Sequence, residues 1–403
     1  MSSLSSRARW GLAVVIAFLG GLIIASGGLS LSRLGFAQSK PSLVSTAPMA
    51  EASNAFVAIA DHVTPAVVSI SSESRPQQAQ RRRSLPNGIT VPPGMEDFFD
   101  QFGQQVPQVE GGSGSGFIVS KDGYILTNNH VVTTNDRTTV ADQVTVQLLD
   151  HRTFKAKVVG NDPTTDIAVI KIDGGNFPTL PLGNDVNSRV GEWVLAIGNP
   201  LGIGQTVTMG IISAKGRQTG LSNGSFEDFL QTDAPINQGN SGGALVSTNS
   251  ELVGINSQIL SPSGGSIGIG FAIPSNMART VTDTLVKNGK VRRGQLGITV
   301  AKANSDNAKQ LGISDVNKGV IVAQVQPGSG ADRAGLRKGD VITALNGAEV
   351  NDANVFRNQV AGTAPGSEVT LTIIRDGREQ QVRATLGEFT PQPERLRAPD
   401  GEQ

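Results

Sequence analysis

The chain has 403 residues, enough for two domains with cores of their own. Lys plus Arg equals Asp plus Glu at 34 each, so charge gives no reason to expect nucleic-acid binding. There is no cysteine, which excludes disulfides, thiolate zinc sites and cysteine nucleophiles and fits any compartment.

Residues 1–37 carry three arginines and no acid; without them 31 basic residues face 34 acidic ones. Gly11 to Leu31 is uncharged and follows Arg7 and Arg9, the pattern of an export segment with a positive leading region. Gly35-Phe36-Ala37 offers a small-x-small cleavage site before Gln38. The alternative is an uncleaved single-span anchor, since the apolar run is about long enough to cross a bilayer. Either way the remainder is expected outside the cytoplasm. Residues 38–52 are rich in Ser, Ala and Pro and read as a linker. Phe56 to Val63 suits a short amphipathic helix with His62 at its end, and Ala66 to Ser71 a first β-strand.

Residues 72–110 break the pattern, and a segment this long without periodicity is functional or disordered. Arg81-Arg82-Arg83 reads as a solvated run, and Phe98, Phe99 and Phe102 as exposed aromatics suited to docking. From Gly111 the β pattern resumes, with a hairpin turn at Lys121-Asp122-Gly123. His130 stands just beyond the next strand in a polar Thr127-Asn128-Asn129 corner, where a general base can be fixed and still reach a cleft. His151 follows Asp150 in a hairpin and is expected to be exposed. Asp166 opens the strand Ile167 to Ile172, where a carboxylate can accept the Nδ1–H of a histidine. Asp162 fits an exposed turn better.

Asn237-Gln238-Gly239-Asn240-Ser241-Gly242-Gly243 places one serine among three glycines. A serine hydroxyl is a weak nucleophile unless a base takes its proton and donors meet the oxyanion. Backbone without Cβ atoms can turn sharply and point its N–H groups into one small space. All three histidines precede Ser241, which excludes the α/β-hydrolase order of nucleophile before histidine and permits His…Asp…Ser. Ala244-Leu245-Val246 and Leu252 to Ile255 read as strand-turn-strand after the serine, against the helix that subtilisin-type folds need. Ten or more short strands with turns between them suggest paired antiparallel β-barrels, closed by a helix from Asn276 to Asn288.

Residues 289–389 form a second unit, with a strand from Gly294, a short helix at Ala331–Ala334, a turn at Asn346-Gly347, a helix capped by Asp352 and a final hairpin across Asp376-Gly377. A strand beside a helix, entered through a glycine-containing loop, can take a peptide by β-addition and capture its terminal carboxylate.

Over about residues 52–389 the chain resembles the HtrA (Deg) family of serine proteases. The segments that carry the likeness are Thr127-Asn-Asn-His-Val131, Asp166-Ile-Ala-Val169, Gln231-Thr-Asp-Ala234, Gly239-Asn-Ser-Gly-Gly243 and Ile267 to Pro274. The later unit resembles a PDZ domain. The resemblance implies a mainly β chymotrypsin-like double barrel over 53–288, with a regulatory loop at 72–110, then one α+β PDZ domain over 289–389 and a polar tail at 390–403. It implies a triad of His130, Asp166 and Ser241, with the backbone N–H groups of Gly239 and Ser241 as oxyanion hole. Ile236 and Ile255, the latter placed in a loop, would line a primary pocket for small aliphatic side chains. Gly294, Gln295, Leu296, Gly297 and Ile298 would bind a peptide carboxylate, Arg217 would belong to a sensor loop, and 255–266 to a second active-site loop. No metal or cofactor is implied. The expected partners are unfolded protein substrates, C-terminal peptides and two further copies in a homotrimer, with membrane contact only through an uncleaved N-terminal segment. The implied role is a periplasmic, peptide-regulated endopeptidase of protein quality control. The alternatives are a membrane-anchored protease making one cut in a signalling partner, and a chaperone or peptide-binding scaffold.

Overall fold

A computed structural model describes residues 15, 17, 47–74, 110–200, 204–220, 226–237, 239–261, 265–302 and 319–390. Most of residues 1–37, expected to be an export segment, the 72–110 stretch with its arginines and phenylalanines, parts of the 217–226 and 255–266 stretches, and the tail beyond Thr390 lie outside them. The chain divides into two compact units, Met1–Asn54 and Ala55–Gln403, and the second holds everything below. Among the described residues no helix is long and apolar enough to cross a membrane.

Helix α1, Ala47–Val63, ends with exposed His62 and buried Val63. Six strands follow: β1 Val67–Ser74, β2 Glu110–Ile118, β3 Tyr124–Thr127, β4 Gln143–Gln147, β5 Thr153–Asp162 and β6 Ile167–Ile172. They close into an antiparallel barrel in the order β1-β2-β3-β6-β5-β4. Strands β7 Trp193–Gly198, β8 Thr206–Arg217, β9 Phe229–Thr232, β10 Ala244–Ser247, β11 Leu252–Ile259 and β12 Gly270–Pro274 close a second barrel in the order β10-β11-β12-β9-β8-β7. Closure leaves neither barrel with a free sheet edge. The double β-barrel expected from the turn spacing is therefore present.

The apolar runs explain the packing. β6 is buried on both faces except at Lys171, as a continuous Ile/Val run requires. Ala168, Ile170 and Ile172 fill the first barrel. Ile167 and Val169 turn the other way and join Phe117, Leu126, Leu195 and Ile197 in a core between the barrels. Helix α3, Ser275–Asn288, lays Ala278, Val281 and Leu285 on that core, and the one-turn α2 spans Asn129–Val132. Gly289 ends α3 in the left-handed conformation at φ 71°, its N–H donating to Leu285 O.

The last part of the chain is a separate sheet with its own core around Val322, Ile342, Phe356 and Leu371. Its order is β14 (Ile298–Lys302), β15 (Val320–Val325), β16 (Val341–Leu345), β18 (Glu368–Arg375) and β19 (Arg378–Thr385), with β17 (Ala348–Glu349) paired to β16. A two-stranded ribbon joins β13, Gly294–Gln295, to β20, Gly387–Glu388. The turns at Asn346-Gly347 and Asp376-Gly377 have φ of 50° and 82°, and 52° and 71°. Such paired positive values are those of a two-residue hairpin turn. Between the sheet strands run α4, Gly330–Arg333, and α5, Ala353–Gly362. Asp352 caps α5 by accepting from Asn354 N at 2.7 Å and Val355 N at 3.1 Å.

Asp162 corrects the sequence reading. It is not exposed: it is buried in an ion pair with Arg293, whose Nε also donates to Thr164 Oγ1 at 2.9 Å. Its hydroxyl partners are Thr164 and Thr165. The pair joins the end of the first barrel to the start of the last sheet. Removing one partner of a buried pair strands a charge, which costs about 3–5 kcal/mol. Arg293→Met is therefore expected to lower stability by about that much, and Asp162→Asn added to it to recover most of the loss. Guanidinium unfolding followed through Trp193 fluorescence checks both.

Candidate active site

The site lies where the two barrels meet. His130 sits in α2, directly after β3, and Asp166 at the head of the neighbouring β6, since Thr127 pairs with Ala168. Asp166 has a φ of 59°. Aspartate tolerates this left-handed conformation at a modest cost, and local hydrogen bonds hold it here. The Asp166 carbonyl accepts from Asn128 Nδ2 at 2.9 Å and Asn129 N at 3.1 Å. Its side chain accepts from the His130 backbone N–H at 3.1 Å and lies 2.8 Å and 3.0 Å from His130 Nδ1. Nδ1 thus carries the proton, and Nε2 is left as an acceptor. The polar corner read in the sequence thus holds Asp166, and Asp166 fixes the histidine.

Burial works against a charged Asp166. The facing His130 ring and backbone N–H, together with the Ser257 hydroxyl, outweigh it and hold the carboxyl below its ordinary value.

Ser241 arrives from the second barrel on the turn before β10. Gly239 and Gly242 have φ of 102° and 82°, a region that disfavours side chains. A Cβ at Gly239 would strike Pro200, and one at Gly242 would strike Ser115 O and Thr127 Oγ1. The glycines are therefore dictated by close packing as well as by the turn. Strand β2 of the first barrel grips this loop: Ser115 N donates to Ser241 O at 2.8 Å and Ser115 Oγ to Gly239 O at 2.6 Å. Among the described residues nothing accepts from the backbone N–H of Gly239 or Ser241.

The Ser241 hydroxyl donates to the Ser257 carbonyl at 3.1 Å, and the Ser257 hydroxyl donates to Asp166 Oδ2 at 3.0 Å. Ser257 is the extra residue of a bulge in β11: Asn256 pairs with Ala272 and Gln258 with Phe271, its neighbour. The bulge turns both polar groups of Ser257 toward the seam. The sequence reading missed Ser115 and Ser257. Ser115 had a weak signal in the glycine-serine run 112–116; a bulge leaves none.

The other candidates are dispersed. Ile236 is buried inside the second barrel. Ile255 is buried in the core between the barrels, and it belongs to β11 rather than to a loop, paired with Ala244 and Ile273. The 255–266 segment is thus strand up to Ile259. Arg217 closes β8, exposed, with Nε donating to Gln231 Oε1 at 3.1 Å. Gly294, Gln295, Leu296, Gly297 and Ile298 share one groove of about 410 Å3 between β14 and α5. Phe226, from the segment leading to β9, also lines it. Gly297 has a φ of 80°. Among the described residues no cluster of side chains is arranged to hold a metal.

Beside Asp166 lies a small pocket of about 30 Å3, room for one water. Its wall includes Thr165, Ser257, Gln258, Glu227 and Asp228. Burial pushes the Asp228 carboxyl up from 3.8 to about 6, with Asp185 and Asp352 adding to the rise and Lys215 opposing it. An acid whose pKa is raised on folding loses stability as pH climbs from the unfolded to the folded value. Asp228→Asn is thus expected to stabilise the protein by roughly 1 kcal/mol above pH 6, allowing for solvent screening of a partly exposed group, with no gain near pH 4. Thermal unfolding across that range measures it.

A trypsin-like peptidase domain profile matches residues 114–255, and a PDZ domain profile residues 294–386. The chain is 43% identical over 342 residues to a probable periplasmic serine protease do/HhoA-like of Haemophilus influenzae, over 83% of this chain and 71% of that one. It is 44% identical over 333 residues to the periplasmic pH-dependent serine endoprotease DegQ of Escherichia coli, over 82% and 70%. The solved HtrA-type protease AlgW with tripeptide superposes with a TM-score of 0.68 at 40% identity, over 84% of this chain and 98% of that one. The serine endoprotease from Yersinia pestis gives 0.56 at 36%, over 83% and 98%.

Proposed function

The chain belongs to the HtrA-type, DegP/DegQ-like serine endoproteases, and we propose how its residues perform that hydrolysis and how it is governed. It is a periplasmic serine endopeptidase with one PDZ domain. His130 is the general base, Asp166 its orienting partner and Ser241 the nucleophile. The observation that supports this assignment is the His130 ring held through Nδ1 by Asp166, with Ser257 bonded both to Asp166 and to the Ser241 hydroxyl.

The Ser241 hydroxyl leaves the Ser257 carbonyl and turns to His130 Nε2. Its oxygen bonds to the substrate carbonyl carbon while Nε2 takes its proton, and Asp166 stabilises the imidazolium. The oxyanion goes to the N–H groups of Gly239 and Ser241, which have no described acceptor. Collapse breaks the peptide C–N bond and returns the proton from Nε2 to the leaving amine. Water, deprotonated by the same nitrogen, then releases the acyl group from Ser241.

Residues 53–288 form the protease domain, with 72–110 as regulatory loop, and 289–389 the PDZ domain. The groove at Gly294 to Ile298 takes peptide C-termini. Occupancy of that groove raises activity, and Arg217 takes part in sensing it. Unfolded proteins are the substrates, the working assembly is a homotrimer, and residues 1–37 direct export.

Ser241→Ala is expected to cut cleavage of an unfolded protein by roughly 10⁵-fold or more, with groove binding of a peptide ending in an apolar carboxylate unchanged. Cleavage assays and fluorescence anisotropy read the two properties separately. Persistent cleavage by this variant would overturn the nucleophile assignment.

A further inference from the structure

The last sheet touches the protease core through a backbone carbonyl. Asn354 and Asn358, one turn apart on α5, both donate their Nδ2 to Glu227 O, at 2.5 Å and 3.1 Å. Asn354 and Glu227 are buried. The Glu227 side chain points the other way. Its oxygens accept from Thr219 N at 2.6 Å, Thr219 Oγ1 at 3.0 Å and Gly220 N at 3.2 Å. The Thr219 hydroxyl, having donated to Glu227, accepts from Gln258 Nε2 at 2.9 Å. Gln258 is the residue after Ser257, whose hydroxyl is on Asp166 and whose carbonyl holds the Ser241 hydroxyl.

We propose that Glu227 is a positioning residue that couples the β14–α5 groove to the nucleophile, through Thr219 and Gln258 acting on the bulge at Ser257. The inference rests on the reading that groove occupancy regulates cleavage. α5 forms one wall of the groove and holds Glu227 from behind, so a peptide that shifts α5 shifts the Glu227 backbone. Thr219 is bonded both to Glu227 and to Gln258, so a movement of Thr219 is passed to Gln258. Gln258 has a ladder partner, Phe271, whereas Ser257 is the unpaired residue of the bulge and gives most easily. With the bulge as described, the Ser257 carbonyl holds Ser241 away from His130 Nε2. Moving the bulge frees the hydroxyl. The coupling element is therefore a bistable hydroxyl, on Ser257 O or on His130, biased from the groove.

The decisive variant is Thr219→Val, which keeps the side-chain shape and removes the one group that both donates to Glu227 and accepts from Gln258. Thr219→Ser keeps that group and serves as the rescue. Cleavage of an unfolded protein is measured with and without a peptide ending in an apolar carboxylate, alongside peptide affinity by anisotropy and unfolding temperature. Wild type and Thr219→Ser are expected to respond to peptide by about 5-fold or more, in kcat with KM little changed. Thr219→Val is expected to bind peptide and respond by less than about 2-fold. Should Thr219→Val fail to fold, Gln258→Met breaks the same link and carries the same expectation. Undiminished stimulation in the severed variant overturns the coupling while leaving the regulatory reading standing. A wild type that binds peptide and gains nothing overturns both.

Discussion

The bulge at Ser257 is the point on which the arrangement of the site depends. A regular β11 would direct successive residues to alternate faces and commit each carbonyl to a ladder. One extra residue between Asn256 and Gln258 releases a hydroxyl for Asp166, in the first barrel, and a carbonyl for Ser241, in the second. A single residue thereby fixes the relative position of the two halves. Ser115 does the same from the other direction, reaching from β2 to Gly239 and Ser241. The seam is tied twice by serines, both smaller and less expensive to desolvate than a charged pair. Around them the core between the barrels supplies the rigidity that such hydrogen bonds alone would lack.

Much of this was legible in the sequence. With three histidines, all before Ser241, chain order alone narrowed the chemistry, and the polar corner before Val131 singled out His130. Asp166 was legible because a carboxylate at the head of an apolar run has few places to go. The turn pairs Asn346-Gly347 and Asp376-Gly377, the capping Asp352 and the α3 periodicity all appeared where local chemistry placed them. In each case the cause lies within a few residues of the effect.

What was not legible depends on partners distant in the chain. Asp162 reads as a turn residue because its neighbours are Pro163 and Thr164; its burial follows from Arg293, 131 residues later. Ile255 was legible as the end of a strand running from Leu252, and β11 holds it between Ala244 and Ile273; only the family resemblance placed it in a loop. Ser257 lies in a stretch whose alternation gives no hint that one residue will be extruded. The register of a closed barrel decides that, and it is settled by all six strands together.

The turn from Asp162 to Asp166 shows why the junction with the last sheet and the catalytic seam are not independent. Asp162 binds Arg293 at its start, Thr164 O accepts from Phe226 N at 2.9 Å in its middle, and Asp166 holds His130 at its end. Phe226 in turn lies under the guanidinium groups of Arg293 and Arg357, at 4.8 Å and 5.2 Å, and edge-on to Phe389 at 5.2 Å. Five residues of one tight loop are thus fastened to the last sheet, to the segment entering β9 and to His130. A loop so short, with a left-handed residue at its end, has little slack to absorb a shift at one anchor without moving another. The histidine is thus held in place partly by packing that belongs to the last sheet, through Arg293 on Asp162 and on Phe226.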